Sequence, residues 1–487
     1  MAMHFDLDRD ARRELGYRLI DRINDFFSSL PDRPVQLPAD QRSYGLLHDA
    51  LPELGEDPGK VLDDICRELV DKGFHVPSAN YFGLMNPTPT YVGVLAEALV
   101  AALNPQLATL ARSQLASKIE LETIRWIGER VGWPGEFNGT FTSGGNEANF
   151  SGLALALAAK FPTSIESGIA SIGAQPVAYA SAESHHSLDK SAGLLGIGRK
   201  ALRRIAVNES LQLDPQALEQ AIAEDRAAGK KPFCVVATAG TTNSGTVDDL
   251  AALSEICRRH ELWLHVDDAY GASAIFSDRH RDLMRGLERA DSITLDPHKW
   301  LAMPFAAGVI LTCHPEILER AFAVAAPYMP KAAGAHLPDN ARISTQWTRR
   351  MNSLKLWLTL RVHGRQAYEE HIDRQMRLAG RFAAWVEASD DFELAAPHTL
   401  PIVAFRLKSR DLRSGELAVA HAAIVEEVTR DGRRWISETV VNGHSVIRMM
   451  VISYLTEERH LEDLESALAN AATRLKAGQA VGLGPGT

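Results

Sequence analysis

Five segments of the 487-residue sequence carry side chains whose chemistry is complementary. The first, DSITLDPHKW, sets Lys299 two residues beyond Pro297, just past a β-branched run and between His298 and Trp300. An amine held there away from bulk water has its pKa lowered by desolvation, which is what a lysine needs to attack and release a carbonyl group. Taken alone, the segment reads more readily as a strand followed by a solvated lysine. The second, LWLHVDDAYGA, ends a run on Asp267 and continues to Ala269. A carboxylate there can keep a ring nitrogen protonated, and a small side chain lets a flat ring lie against the strand. Asp267 as an ordinary turn residue is the plainer reading. His265 and Asp267 could also be two metal ligands, but no third ligand stands at a usual spacing, so no metal is expected. Asp268 should face the other side of the strand, because neighbouring side chains alternate.

The third segment, TFTSGGNEANFSGLALALAAK, reads as a strand, a turn at Gly144 and Gly145, and a helix starting near Asn146. Backbone N–H groups at such a helix start bind phosphate, and glycines allow the close approach; a Gly-Gly before a helix is common enough to be a weak signal. The fourth, ATAGTTNSGTVDD, offers the Thr242 hydroxyl, or an ordinary polar loop. The fifth, SAESHHSLDKSAG, brings His185 and His186 directly after a strand. An imidazole there can stack on a ring, reach a substrate carboxylate or move a proton, although a histidine pair in a loop is more often solvated.

The elements that must position these residues alternate. PVAYASAES, PFCVVATAG, LWLHVDDAY, SITLD and GVILT are strand candidates separated by longer helical runs, the pattern of a mainly parallel sheet covered on both faces. Ligands of such sheets sit beyond the C-terminal strand ends, where all five segments fall. Before this region, residues 1–85 read as a helical arm that does not form its own core. Residues 86–364 form the large domain, and 365–487 a small α+β domain with LPIVAFRLK and SVIRMMVISY as strands.

With 45% hydrophobic and 23% charged residues the chain can bury a large core. A net charge of −10 provides no broad basic surface for nucleic acid or anionic membrane. The N-terminus MAMHFDLDRDARREL lacks the apolar core of a secretory signal, and the apolar stretch Tyr91 to Leu103 is too short to span a bilayer, so a cytoplasmic location is expected. Four cysteines without a CxxC pair indicate reduced, structural thiols.

Taken in order, these segments resemble the group II pyridoxal-5′-phosphate (PLP)-dependent decarboxylases, which include aromatic-L-amino-acid, histidine, glutamate and 2,4-diaminobutyrate decarboxylases. The resemblance spans nearly the whole chain and is most specific in DSITLDPHKW taken together with HVDDAYGA. It implies an α/β fold of the PLP-dependent transferase-like, aspartate aminotransferase type I kind, and a homodimer whose N-terminal arms wrap the partner. By the same resemblance Lys299 carries the cofactor as a Schiff base and Asp267 pairs with its pyridine nitrogen. Ala269 and His185 sandwich the ring, Gly144, Gly145, Asn146 and His298 surround the phosphate, and Thr242 lines the site. Tyr328, in AVAAPYMPKAAGAHLPDN, matches the loop tyrosine that protonates the decarboxylated carbon; members with phenylalanine there tend toward aldehyde-forming chemistry.

Asn86, Tyr81 and Arg448 are the candidates for substrate contact. Met85 and Asn86 stand where aromatic decarboxylases more usually show aromatic side chains, and LATLARSQLASKIELET lacks their tryptophan. The substrate reading therefore divides between an aromatic L-amino acid, such as tyrosine, DOPA or tryptophan, and acidic, diamino or other polar ones. DPHKW for NPHKW and DDA for DAA are mild departures. Transaminase, lyase or oxidative chemistry would use the same cofactor constellation. The intact Lys299 and Asp267 argue against a silent PLP-binding protein.

Overall fold

The computed structural model describes residues 6–38, 41, 51–325, 339–409 and 413–477. Four helices come first: α1 (Arg9–Ser29), α2 (Pro58–Lys72), α3 (Tyr91–Leu103) and α4 (Leu110–Val131). The alternating region then runs β1 (Asn138–Thr142), α5 (Gly145–Lys160), α6 (Ser164–Ser167), β2 (Pro176–Ser181), α7 (Ser187–Leu194), β3 (Leu202–Ile205) and α8 (Pro215–Ala227). It continues through β4 (Lys231–Thr238), α9 (Leu250–His260), β5 (Trp263–Asp267), β6 (Ser292–Leu295), β7 (Gly308–Thr312) and α10 (Ile317–Phe322). The long helix α11 (Ser353–Ala388) leads to β8 (Phe392–Leu394), β9 (Ile402–Leu407), α12 (Ser414–Thr429), β10 (Ser437–Val441), β11 (His444–Met450) and α13 (Glu458–Lys476).

Local chemistry accounts for these boundaries. Asp57 and Asp214 cap α2 and α8 by accepting first-turn amides, each followed by proline, whose missing N–H costs nothing there. Thr90 caps α3 through the Gly93 amide. Strands β2, β5, β6 and β7 are buried at every position, as expected where helices cover both faces of a sheet.

The large sheet has the order β1-β7-β6-β5-β4-β2-β3. β7 runs antiparallel to both its neighbours and the other pairs are parallel, so six strands point one way. Their C-terminal ends share one edge, where residues 143–145, 185, 242, 267 and 296–299 emerge. The second sheet, β10-β11-β9-β8, is antiparallel throughout and packs with α12 and α13 as the small C-terminal domain. Residues 80–82 are tied to it: the Phe82 amide donates to the Trp435 carbonyl at 2.8 Å, and the Met450 amide to the Phe82 carbonyl at 2.8 Å. The Tyr81 ring stacks on Trp435 with centroids 5.4 Å apart. Among the described residues, no helix is long and apolar enough to cross a membrane.

Two fully buried histidines make stability depend on pH. Burial holds His265 and His421 down to about 4, against an ordinary 6.5. As pH falls through the window between these values, the unfolded chain takes up protons that the folded chain refuses, so the stability present above 6.5 is progressively lost. The unfolding midpoint in denaturant is expected to drop across this window, by as much as about 1.4 kcal/mol of stability per pH unit for each histidine. His421→Gln should flatten the slope, and an unchanged slope would rule His421 out as a contributor.

Candidate active site

At the shared strand edge lies a cavity of about 440 Å³. Gly144, Gly145, Asn146, His185, Thr242, Asp267, Ala269, His298, Lys299 and Asn86 all line it. Its floor is the start of α5. The first turn of a helix leaves amides without carbonyl partners, and here those of Gly145 and Asn146 belong to residues on the cavity wall. Side chains are excluded for steric reasons: a Cβ on Gly145 would stand 2.6 Å from Asp296 Oδ2, and one on Gly308 would meet Gly144 Cα at 2.5 Å. The neighbouring Ser143 amide is already taken by the Glu147 carboxylate at 2.7 Å.

Asp267, 5% exposed at the end of β5, accepts a hydrogen bond from Asn149 Nδ2 at 2.8 Å. Ala269 also lines the cavity. The adjacent Asp268 does not, and burial pushes its carboxyl well up.

Lys299 follows β6 by a tight turn in which its amide donates to the Asp296 carbonyl. Its Nζ lies 3.3 Å from Asp296 Oδ2, and its side chain is 27% exposed. Asp296 itself is 2% exposed, and its second carboxylate oxygen has no hydrogen-bond partner. It is a site residue that the sequence reading passed over as a departure from NPHKW. An acid three residues before a candidate imine-forming lysine was the available signal.

Both site imidazoles are held by one nitrogen. His298 Nδ1 accepts the Ala307 amide at 2.9 Å, and His185 Nδ1 accepts the Ser187 amide at 3.1 Å. Burial pushes both down, so they are neutral and carry their proton on Nε2. His186 is solvated and pairs with Asp189 at 3.4 Å.

Tyr81 and Arg448 do not line the cavity. Arg448 acts from behind, donating to the Thr242 carbonyl at 2.8 Å and to Ser437, with burial pushing it down to about 10. Tyr81 is occupied by its stack on Trp435, and burial pushes its phenol up to about 12. Tyr328 lies outside the described residues. Leu84, Met85, Phe305, Ile402 and Met450 add an apolar wall beside Asn86; Phe305 is 56% exposed and touches the His298 ring, with centroids 4.7 Å apart. Among the described residues, the one grouping of metal-type ligands is Asp291, Cys313 and His314, away from this cavity. There the imidazole and carboxylate already satisfy each other at 2.7 Å, which pushes His314 up to about 10.

A flat ring carrying an anion at one end and a basic nitrogen at the other fits these walls. A glycine cradle with no room for a Cβ, a buried carboxylate and an amine share the one cavity.

Residues 38–408 match the family model described as "Pyridoxal-dependent decarboxylase conserved domain". The chain is 33% identical to an aromatic-L-amino-acid decarboxylase of Bacillus atrophaeus, over 93% of this chain and 94% of that one. It is 28% identical to a phenylacetaldehyde synthase of Arabidopsis thaliana, over 96% and 97%. The solved structure of Oryza sativa TDC with PLP and tryptamine superposes with a TM-score of 0.91 at 25% identity, covering 97% of this chain and 100% of that one.

Gly145→Ala tests the cradle. The new methyl group forces Asp296 or the α5 start to move, and the loss of charge-assisted hydrogen bonds should weaken PLP uptake at least about tenfold. Absorbance titration of the apoprotein measures this, with circular dichroism as the folding control. Wild-type affinity would show that the anion binds elsewhere.

Proposed function

The chain belongs to the pyridoxal-dependent decarboxylase family, and on that premise we propose that it converts an aromatic L-amino acid to its amine and CO₂ with Lys299 as the residue that carries PLP. Carrying this reading is one observation: the Lys299 amine, the Asp267 carboxylate and the glycine cradle all face one cavity. When bound, PLP supplies an aldehyde for imine formation with an amine and a protonated ring that accepts the electron pair left by departing CO₂.

The chain's own residues then divide the work. Gly144, Gly145 and Asn146 hold the phosphate at the α5 start, with His298 Nε2–H beside them. Asp267 keeps the ring nitrogen protonated, Ala269 gives one face of the ring a flat seat, and His185 covers the other. Thr242 closes the site near the ring, its loop held from behind by Arg448. Asp296 would balance the charge of the Lys299 amine whenever that amine is free. The pocket must set the bond to the carboxylate perpendicular to the ring plane, since only then can its electrons flow into the ring. Tyr328 supplies the proton that replaces CO₂.

An aromatic side chain is supported by the apolar wall of Leu84, Met85, Phe305, Ile402 and Met450, and by the relatives' named substrates and products. Asn86 gives that wall one polar group, suited to a ring hydroxyl or indole N–H. We also propose a homodimer in the cytoplasm. Supporting the dimer, α1 buries no residue, while α2 exposes Val61, Ile65 and Leu69 and α3 exposes Leu95, Leu99 and Leu103 along single faces. Supporting the location, all four thiols are unpaired, with Cys66 and Cys313 only partly buried.

The test is a screen of purified protein against the common amino acids, scoring CO₂, amine and aldehyde. Aromatic substrates are expected to yield amine and CO₂ in equal amounts. Release of CO₂ only from acidic or diamino acids would overturn the substrate class, and aldehyde as the main product would overturn simple decarboxylation. Lys299→Ala should lose the visible absorbance of bound PLP and all turnover. Tyr328→Phe should keep that absorbance while amine release falls and aldehyde rises.

A further inference from the structure

Behind Asp267 the protein holds a chain of buried polar side chains running away from the cavity. Asn149, on α5, bridges the two regions: its Nδ2 donates to Asp267 Oδ2 at 2.8 Å and to Ser187 Oγ at 3.1 Å. Its Oδ1 meets Thr294 Oγ1 at 2.8 Å and His265 Nε2 at 3.1 Å. His265 Nδ1 lies 2.8 Å from Ser292 Oγ, which accepts the Trp263 indole N–H at 2.8 Å. Asn149, His265, Ser292 and Thr294 are each at most 2% exposed.

With the 3.1 Å His265–Asn149 contact taken as a hydrogen bond, donor and acceptor capacity sets the directions of the rest. A carboxylate only accepts, so the Asn149 amide nitrogen must face Asp267 and its oxygen must face His265. That oxygen only accepts, so His265 carries its proton on Nε2 and leaves Nδ1 bare. Ser292 fills Nδ1 with its single hydroxyl proton, and the indole, which can only donate, fills the serine oxygen. One N–H or O–H on each of Trp263, Ser292, His265 and Asn149 therefore points along the chain toward Asp267, while the second Asn149 N–H goes to Ser187. The arrangement requires a neutral imidazole, and burial holds His265 down to about 4. Space for the ring is made on α5, where a Cβ on Gly152 would stand 2.3 Å from it.

We infer that this chain is a positioning device for Asp267: His265, locked as the Nε2–H tautomer, orients the Asn149 amide, which holds the Asp267 carboxylate charged and aimed at the ring nitrogen of the cofactor. The inference rests on the pairing of Asp267 with that nitrogen proposed above. His265 and Asn149 act through Asp267 and donate no proton to substrate. A lost hydrogen bond to a buried carboxylate leaves it free to turn or to take the ring's proton itself, which weakens both cofactor retention and ring protonation.

The experiment uses full-length holoenzyme reconstituted with PLP labelled with ¹⁵N at the ring nitrogen, whose chemical shift reports protonation directly and does not depend on turnover. The wild type is expected to show a protonated nitrogen. In Asn149→Ala and His265→Leu the shift should move toward the unprotonated value, and PLP binding should be roughly ten- to a hundredfold weaker. His265→Gln, whose amide N–H reaches about where Nε2–H stands, should restore both. Gly152→Ala, which touches neither Asp267 nor the cavity, should shift the signal in the same direction by displacing the imidazole. If Asn149→Ala does not fold, the contrast between His265→Leu and His265→Gln carries the test. A protonated nitrogen in the wild type that stays unchanged in His265→Leu overturns the positioning role alone. An unprotonated nitrogen in the wild type overturns the Asp267 pairing and this inference with it.

Discussion

The site depends on how closely helix α5 lies on the large sheet. The helix is buried along most of its length and packs across β4, β5, β6 and β7. Its sheet-facing positions include Gly145 and Gly152, where any side chain would collide with Asp296 and His265. Close packing brings the first turn of the helix, with its glycines and uncommitted amides, to the strand edge. One turn further on, the same contact sets Asn149 against Asp267. Two features that look unrelated along the chain are thus consequences of a single helix–sheet distance.

Charge balance is the second constraint. Two buried carboxylates, Asp267 and Asp296, share a small cavity with one amine, and an unpaired buried charge is among the costliest features a fold can carry. The protein resolves this unevenly. Asp267 receives a neutral amide donor, which leaves its outward side available to a cationic ring, while Asp296 takes the ammonium of Lys299. The neutral histidines 185 and 298 add donors without adding charge.

Much of this was legible because β2, β4, β5, β6 and β7 are strongly buried and so read as apolar, β-branched runs with chemical residues just beyond them. Three of the edge strands were not: β3 reads LRRI, β8 is three residues long and β10 reads SETVV, each partly exposed and so too polar to stand out. The cavity gathers most of the residues singled out from the sequence. Asn149 was missed because its partner is 118 positions away and no local spacing announces a helix-to-strand hydrogen bond. An asparagine in the apolar, small-residue helix EANFSGLALALAA was the available clue, since a polar side chain buried there has to find partners. Tyr81 and Arg448 fit a family pattern in sequence, yet both sit one layer behind the cavity, where packing against Trp435 and the Thr242 carbonyl occupies them.

The ties between residues 80–82 and the small domain reach further than stability. Through the Trp435 and Met450 backbones this segment is joined to that domain, and Leu84, Met85 and Asn86 follow it directly onto the cavity wall. Most of the apolar wall is therefore carried by the small domain and the segment tied to it, while Phe305 and the Lys299 amine come from the large sheet's side. A change in how these two parts pack would reach the wall and the amine together.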